Sequence, residues 1–371
     1  SIPLYIGFLF GFLRDRWQPL GRGDRGYLLL AAPLAVATYG WLAGGRVTYP
    51  RLLAAILLAT VLFQVLFTSV QALTTVVAQQ RGMTGRLGVV MLLAQLVPGA
   101  LAALAGGWMV RRISPQGIFG IAAAATAFLW LISFWKPRAV FTSEVTSLPE
   151  KERASEGQWS AVVRLLRHRP LWPAAIILFL FNFSPGFQTP MFYYLTNSVK
   201  MSPEAFGLFN GILMVAFFPT AALYGVMCRR VPLRPLLWWG TAFAIIQVAP
   251  ILLCHNTLQV MLFAAAAGLL GGFASAAYFD LLIRACPKGL EGTGSMLAMS
   301  GFNLAVRSGD LFGTWLYQRG GFGLAILITT AVYALMIPTL LFVPRPLVST
   351  REGESAAGES LAPSSGVVEA A

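Results

Sequence analysis

Of the chain's 27 lysines and arginines, Arg307 is the one that falls inside an apolar run, and Asp310 follows it one helical turn later. Ser300, Asn303, Arg307, Asp310 and Thr314 recur at intervals of three and four, which puts them on one face of a helix. A polar group at bilayer depth costs several kcal/mol unless it is paired or lines a wet cavity. A guanidinium can grip an anionic solute through two parallel hydrogen bonds, and a carboxylate beside it can trade that partner for a proton. The spacing predicts that Arg307 and Asp310 pair with each other and exchange partners during function. A purely structural ion pair between helices is the alternative.

A second stripe, Gln64, Thr68, Gln71, Thr75 and Gln79, repeats at helical intervals on an earlier run. These neutral groups suit sugars, pterin-like rings or water, and equally suit helix-to-helix hydrogen bonds of ~0.6 kcal/mol each. Between them in the sequence, Asn182, Ser184-Pro185-Gly186, Gln188 and Thr189-Pro190 crowd one run. Two prolines remove backbone donors there and expose carbonyls, which predicts a kinked, cavity-lining gate. Asp280 and Arg284, one turn apart near a run's end, read as a gate or anchor. Gly309 and Gly313 permit close helix packing.

The elements that must hold these residues are apolar runs near 2–13, 27–44, 52–79, 87–110, 117–135, 171–197, 205–227, 235–254, 258–283, 293–317 and 321–343. About 20 apolar residues cross the hydrocarbon layer as a helix. The runs are continuous rather than alternating, so helices and not barrel strands are expected. With 57% hydrophobic and 11% charged residues, the chain reads as an all-α, multi-pass integral membrane protein. Only Arg46, Arg51, Arg111, Arg112, Lys200 and Arg319 lie in one alternating set of loops; the rest gather in the other set, which is therefore expected on the cytoplasmic side. A net charge of +13 thus reflects loops facing an anionic leaflet and not a nucleic acid.

Other chemistries find no support. Cys228, Cys254 and Cys286 are scattered over separate run ends, and His168 and His255 stand alone, so neither a metal nor a cofactor is expected. No glycine-lysine-serine nucleotide loop appears, and no nucleophile converges on a base as in an enzyme. The expected partners are a small solute and the lipid bilayer, with the chain acting as a monomer.

The hydrophilic stretch 137–170 divides the chain into halves, 1–136 and 171–345. Apolar spacing at 159–168 predicts a short amphipathic helix within that linker, and 346–371, rich in Ser, Gly, Ala and Glu, reads as a disordered tail. The halves echo each other. Gly11, Arg14, Asp15 and Arg16 close one run as Gly225, Cys228, Arg229 and Arg230 close another, and Gly82 and Gly85 are matched by Gly289 and Gly292 at nearly the same interval. Parallel repeats of this kind are a mark of membrane transporters. The run at 2–13 is too short to cross alone, and the first span of a six-span half is expected ahead of Ser1.

Two six-helix halves, with Gly11, Arg14, Asp15, Arg16, Gly21, Arg22, Asp24 and Arg25 clustered after a span, resemble the major facilitator superfamily. That resemblance implies two pseudo-symmetric halves and a gating role for Asp15, Arg16 and Arg25, which latch one conformation by pairing with helix ends. Thr189-Pro190-Met191-Phe192-Tyr193-Tyr194, then Met201-Ser202-Pro203-Glu204, Arg284-Ala285-Cys286-Pro287, Met299-Ser300 and Asn303-Leu304 are similar to the folate–biopterin transporter family within it. Members of that family often carry acids on the fourth span, where this chain has Ser69, Gln71, Thr74, Thr75 and Gln79. The resemblance implies a secondary active transporter for a small organic solute, anionic and pterin- or folate-like, working by alternating access with proton symport. A non-transporting scaffold or assembly factor of the same fold is the alternative. The plasma (inner) membrane is the expected location, with an organelle or thylakoid membrane as the alternatives.

Overall fold

The computed structural model describes residues 2–17, 19, 23–46, 48–135 and 158–354. Gly21, Arg22, most of the linker and the tail after Glu354 lie outside the described residues.

Helices account for every expected run. The first half comprises α1 (Ile2–Tyr5), α2 (Gly7–Arg16), α3 (Asp24–Ala43), α4 (Tyr49–Gln80), α5 (Thr84–Arg112) and α6 (Pro115–Ile132). Next comes α7 (Gln158–Arg167), the amphipathic helix read from the linker. The second half holds α8 (Leu171–Asn182), α9 (Thr189–Asn197), α10 (Pro203–Met227), α11 (Leu233–Ile246), α12 (Thr257–Ala285), α13 (Glu291–Ala334), α14 (Met336–Leu341) and α15 (Arg345–Val348). Among the described residues there is no strand, and 8 helices are long and apolar enough to cross a membrane.

Local sequence sets the ends of these helices. Ser114 and Ser202 each stand before a proline at the first helical position, and their hydroxyls accept the amides of Gly117 and Ala205 at 3.2 Å; such caps satisfy donors that a helix start leaves orphaned. At 44 residues, α13 would run ~66 Å if straight, twice the hydrocarbon thickness. Gly321 interrupts it with φ +72°, a conformation that only glycine adopts cheaply, and so makes two spans of one helix. Outward-facing Leu311, Leu341 and Phe342, each at least 70% exposed, are what a lipid-facing belt requires. No water-soluble fold would leave such a belt uncovered.

Two seams join the halves. Along one, α2 packs against α13; along the other, α5 packs against α10 and α12. Under the internal repeat these seams are equivalent to each other. Gly11 is required at the first: a Cβ there would stand 2.5 Å from the carbonyl oxygen of Gly292. Within the second half, Gly309 and Gly313 of α13 let the helix approach the break between α8 and α9, where a Cβ on Gly313 would overlap the carbonyl of Pro185.

One sequence expectation is corrected. The start of the tail is not disordered: 345–354 form α15 and a turn that packs under α12, with Arg284 Nη1 donating to the Thr350 carbonyl at 2.9 Å. Val348 packs into the second half's core with Leu347 against it, and a four-residue helix is too short to show a period.

Candidate functional site

The site is best built from the end of the molecule where the basic loops gather. Asp15 ends α2 with its side chain only 1% exposed. It faces the first turn of α13, where Oδ1 accepts the Gly292 amide at 3.2 Å and Oδ2 accepts the Thr293 amide at 2.7 Å and the Thr293 hydroxyl at 2.6 Å. A helix leaves its first amides unpaired and carries partial positive charge at that end, so a buried carboxylate there meets charge and geometry together. Arg14 clamps it from behind, with Nη1 2.8 Å from Asp15 and Nε 2.5 Å from Asp24. Burial opposes the charge on Arg14, but Asp24 and then Asp15 outweigh it and raise the guanidinium's pKa above its usual value. This contact crosses between the halves.

Of the other two residues assigned to gating by resemblance, Arg25 holds contacts within its own half. Arg25 donates to the carbonyls of Ser133 (2.9 Å) and Phe134 (3.0 Å), which ties α3 to the end of α6 inside the first half. Arg16 lies over the ring of Phe12 on its own helix, 5.6 Å from the centroid.

On the second seam, Asp280 is fully buried and pairs with Arg284 at 2.9 Å, while Tyr224 donates its hydroxyl to the same carboxylate at 2.7 Å. Arg284 then reaches across to Thr84 Oγ1 in the first half at 3.1 Å. Gln79 also crosses, with Nε2 donating to the carbonyls of Ile283 (2.7 Å) and Cys286 (2.9 Å). Sequence reasoning missed Arg14, Asp24, Thr84, Tyr224 and Thr293 as members of these contacts. Each is a polar residue within one turn of a run's end, which is the signal that could have found them.

Between the seams lies a cleft of about 470 Å³. Tyr39, Phe63, Phe67 and Phe302 supply flat apolar walls, and Gln64, Gln95 and Asn303 supply amides. The lining comes from α1, α3, α4 and α5 on one side and α13 on the other. Because α3 starts at Asp24 beside the latch, its lining residues Tyr39 and Leu42 lie at the opposite end of the helix. The cleft therefore extends away from the latched, basic end.

The two predicted stripes divide their duties. Gln64 and Asn303 reach the cleft, and Ser300 accepts the Phe8 amide at 3.2 Å across the first seam. Gln71 is buried, and among the described residues its Nε2 has no hydrogen-bond partner. Thr68 and Thr75 spend their hydroxyls on carbonyls of their own helix.

The expected Arg307–Asp310 pair is not formed. Asp310 instead accepts the amide of Thr189 at 2.9 Å and its hydroxyl at 3.1 Å, while Arg307 is exposed and, among the described residues, has no ion-pair partner. The break at 183–188 explains the difference: it creates a new helix start at Thr189, and that orphan amide competes for the carboxylate. The break packs Pro185 and Gly186 inside and leaves Gln188 exposed. Gly186 donates to Thr329 Oγ1 at 2.9 Å, Asn182 Nδ2 donates to the Leu178 carbonyl of its own helix at 2.8 Å, and neither Asn182 nor Gln188 lines the cleft.

Two helical halves, joined along equivalent seams and enclosing a cleft, define a membrane transporter architecture. The chain matches the Major Facilitator Superfamily over residues 3–306 and 186–369 and belongs to it; it is an integral, multi-pass membrane transporter and not an enzyme. It is 24% identical to the folate-biopterin transporter of Synechocystis sp., covering 93% of this chain and 73% of that one. Folate transporter 1 of Plasmodium falciparum is 23% identical over 82% of this chain, which spans 61% of that relative. Among solved structures, the proton:xylose symporter XylE bound to 6-bromo-6-deoxy-D-glucose superposes with a TM-score of 0.70 at 14% identity, covering 96% of this chain and 87% of that one. At that identity the likeness establishes the fold.

Proposed function

We propose that the protein is a secondary active transporter that moves a pterin- or folate-like solute by rocking its halves about the cleft. The observation that carries this reading is a mid-molecule cleft between halves that are latched at one end by a carboxylate on a helix start. A latch of that kind can be broken and remade, as alternating access demands. The cleft's lining supports a planar heteroaromatic solute: Tyr39, Phe63, Phe67 and Phe302 offer ring faces, and three amides offer both donors and acceptors to a ring edge. No charged residue lines it, so the neutral ring system is assigned there. Arg307, one turn beyond Asn303 on the same face, is assigned to an anionic substituent.

Symport is assigned to Asp310, a carboxylate at span depth held by two Thr189 donors and, among the described residues, by no cation. Protonation would release α9 from it and so link proton movement to the hinge between α8 and α9. The test is uptake of folate and biopterin into proteoliposomes under an imposed pH gradient. Arg307→Ala is expected to abolish accumulation of the anionic solute. Asp310→Asn is expected to remove stimulation by the gradient while leaving solute exchange intact. Unchanged gradient-driven uptake by both variants would overturn the reading, and no uptake by the wild-type chain would favour a scaffold of the same fold.

A further inference from the structure

The two seams are repeat-equivalent, yet their latches are not built from equivalent residues. The interval that carries Gly11 onto Gly225 carries Arg14 onto Cys228 and Asp15 onto Arg229; the interval that carries Gly82 onto Gly289 carries Gly85 onto Gly292 and Arg86 onto Thr293. Close packing is retained in both copies. A Cβ on Gly292 would sit 2.6 Å from Asp15 Oδ1, and one on Gly85 would sit 2.7 Å from Cys228 Sγ. What the second copy lacks is the acid, because Arg229 stands where Asp15 stands in the first. A basic side chain cannot satisfy the first amides of α5 and is repelled by that helix end.

Glu352 occupies the vacancy. Its Oε1 accepts the Arg86 amide at 3.1 Å, and that amide is the repeat counterpart of the Thr293 amide held by Asp15. Its Oε2 accepts Arg86 Nε at 3.1 Å and the Cys228 thiol at 3.1 Å, and its own amide donates to the Cys228 carbonyl at 3.1 Å. The side chain is 0% exposed although Arg86 is 40% exposed. Burial first, and then the bond to Glu352, push the Cys228 thiol's pKa up, so it stays protonated and able to donate. The segment is placed from both sides: Arg284 holds the Thr350 carbonyl, and Gly353 turns the chain away with φ +95°.

We propose that Glu352, delivered by the C-terminal segment, is the carboxylate of a second inter-half latch that replaces the acid missing from the second repeat. It acts as a positioning residue, fastening α5 to α10 as Asp15 fastens α2 to α13. This inference rests on the reading of the halves as moving parts, and its test needs no solute.

The test is hydrogen–deuterium exchange, read by mass spectrometry on the whole chain in lipid nanodiscs, comparing wild type with Glu352→Gln. If the halves open as rigid bodies, releasing one latch loosens both. Exchange is expected to rise about tenfold at Arg86 and also at Gly292 and Thr293 on the far seam, the size of effect that loss of one charge-assisted bond produces. A rise confined to Arg86 would show a local cap only and overturn the proposal, as would no rise. A second variant, Arg229→Asp combined with Glu352→Gln, restores an acid from the repeat-equivalent position. Recovered protection at both seams is expected, and protection that stays lost would overturn the assignment. Failure of wild-type uptake would count against the transport reading and leave this result standing.

Discussion

Replacing Asp15 by Asn removes the charge from the first latch while keeping its shape. The carboxylate accepts two amides and a hydroxyl at the α13 start, and hydrogen bonds to a charged group contribute about 1.5–3 kcal/mol. The helix-end charge adds about 0.3–1 kcal/mol. Arg14 keeps Asp24 at 2.5 Å, so no cation is stranded and no further penalty applies. A net loss of about 2–3 kcal/mol shifts the closed-to-open equilibrium by about 30- to 150-fold. Cys286 reports the shift: it is 4% exposed, its carbonyl receives the inter-half bond from Gln79, and its sulfur lies beneath Gly294. Its modification by a membrane-impermeant maleimide should accelerate by that factor in Asp15→Asn and less in Thr293→Val, which deletes one donor and leaves the charge. Burial, then Glu291, then Asp15 raise the thiol's pKa, so rates are compared across pH. Opening lifts the whole curve, whereas a change in pKa only displaces it. A rate within about twofold of wild type at every pH would refute the reasoning.

Gln64→Leu and Asn303→Leu should each weaken solute binding by about tenfold, the loss expected for one buried polar contact, without lowering Tm; calorimetric titration with biopterin checks this, and undiminished affinity would remove those residues from the site. Gly11→Val should force the backbones of α2 and Gly292 apart at a cost of about 1–3 kcal/mol, seen as a fall in Tm, while Gly40→Ala, where a Cβ meets nothing within 4 Å, should be silent. His168 holds the Ala285 carbonyl at 3.1 Å, and burial pulls its pKa below the ordinary 6.5, outweighing that bond and assisted by Arg164. The unfolded chain therefore binds the proton more readily, so stability is full above pH 6.5 and is lost as pH falls through that value and on towards the folded pKa. Tm measured from pH 7.5 to 5.5 should drop more for wild type than for His168→Gln, and parallel curves would contradict the assignment.

What the sequence shows is what periodicity and charge encode. Every apolar run became helix because lipid leaves the backbone no other partner, and Asp15 was marked by its place in a glycine- and arginine-rich run end. Its partners Gly292 and Thr293 lie far along the chain, and helical spacing carries no information across that distance. The Arg307–Asp310 expectation shows the same boundary: spacing put both on one face, but a proline-bearing break on another element offered Asp310 a better donor. Joining two local signals, the break and its orphan amide at Thr189, would have placed Asp310 correctly. Glu352 was hidden for a different reason: one acid among several in a polar segment is not set apart by any pattern.

A latch whose acid follows the last of these helices can be completed only after every one of them has been made. Asp15 can engage α13 as soon as Thr293 has been made, but α5 must wait for Glu352, which follows α13, α14 and α15. The nascent protein thus holds α2 to α15 while one side is still unfastened, and a chain stopped just short of residue 352 would keep these helices yet never be secured on that side.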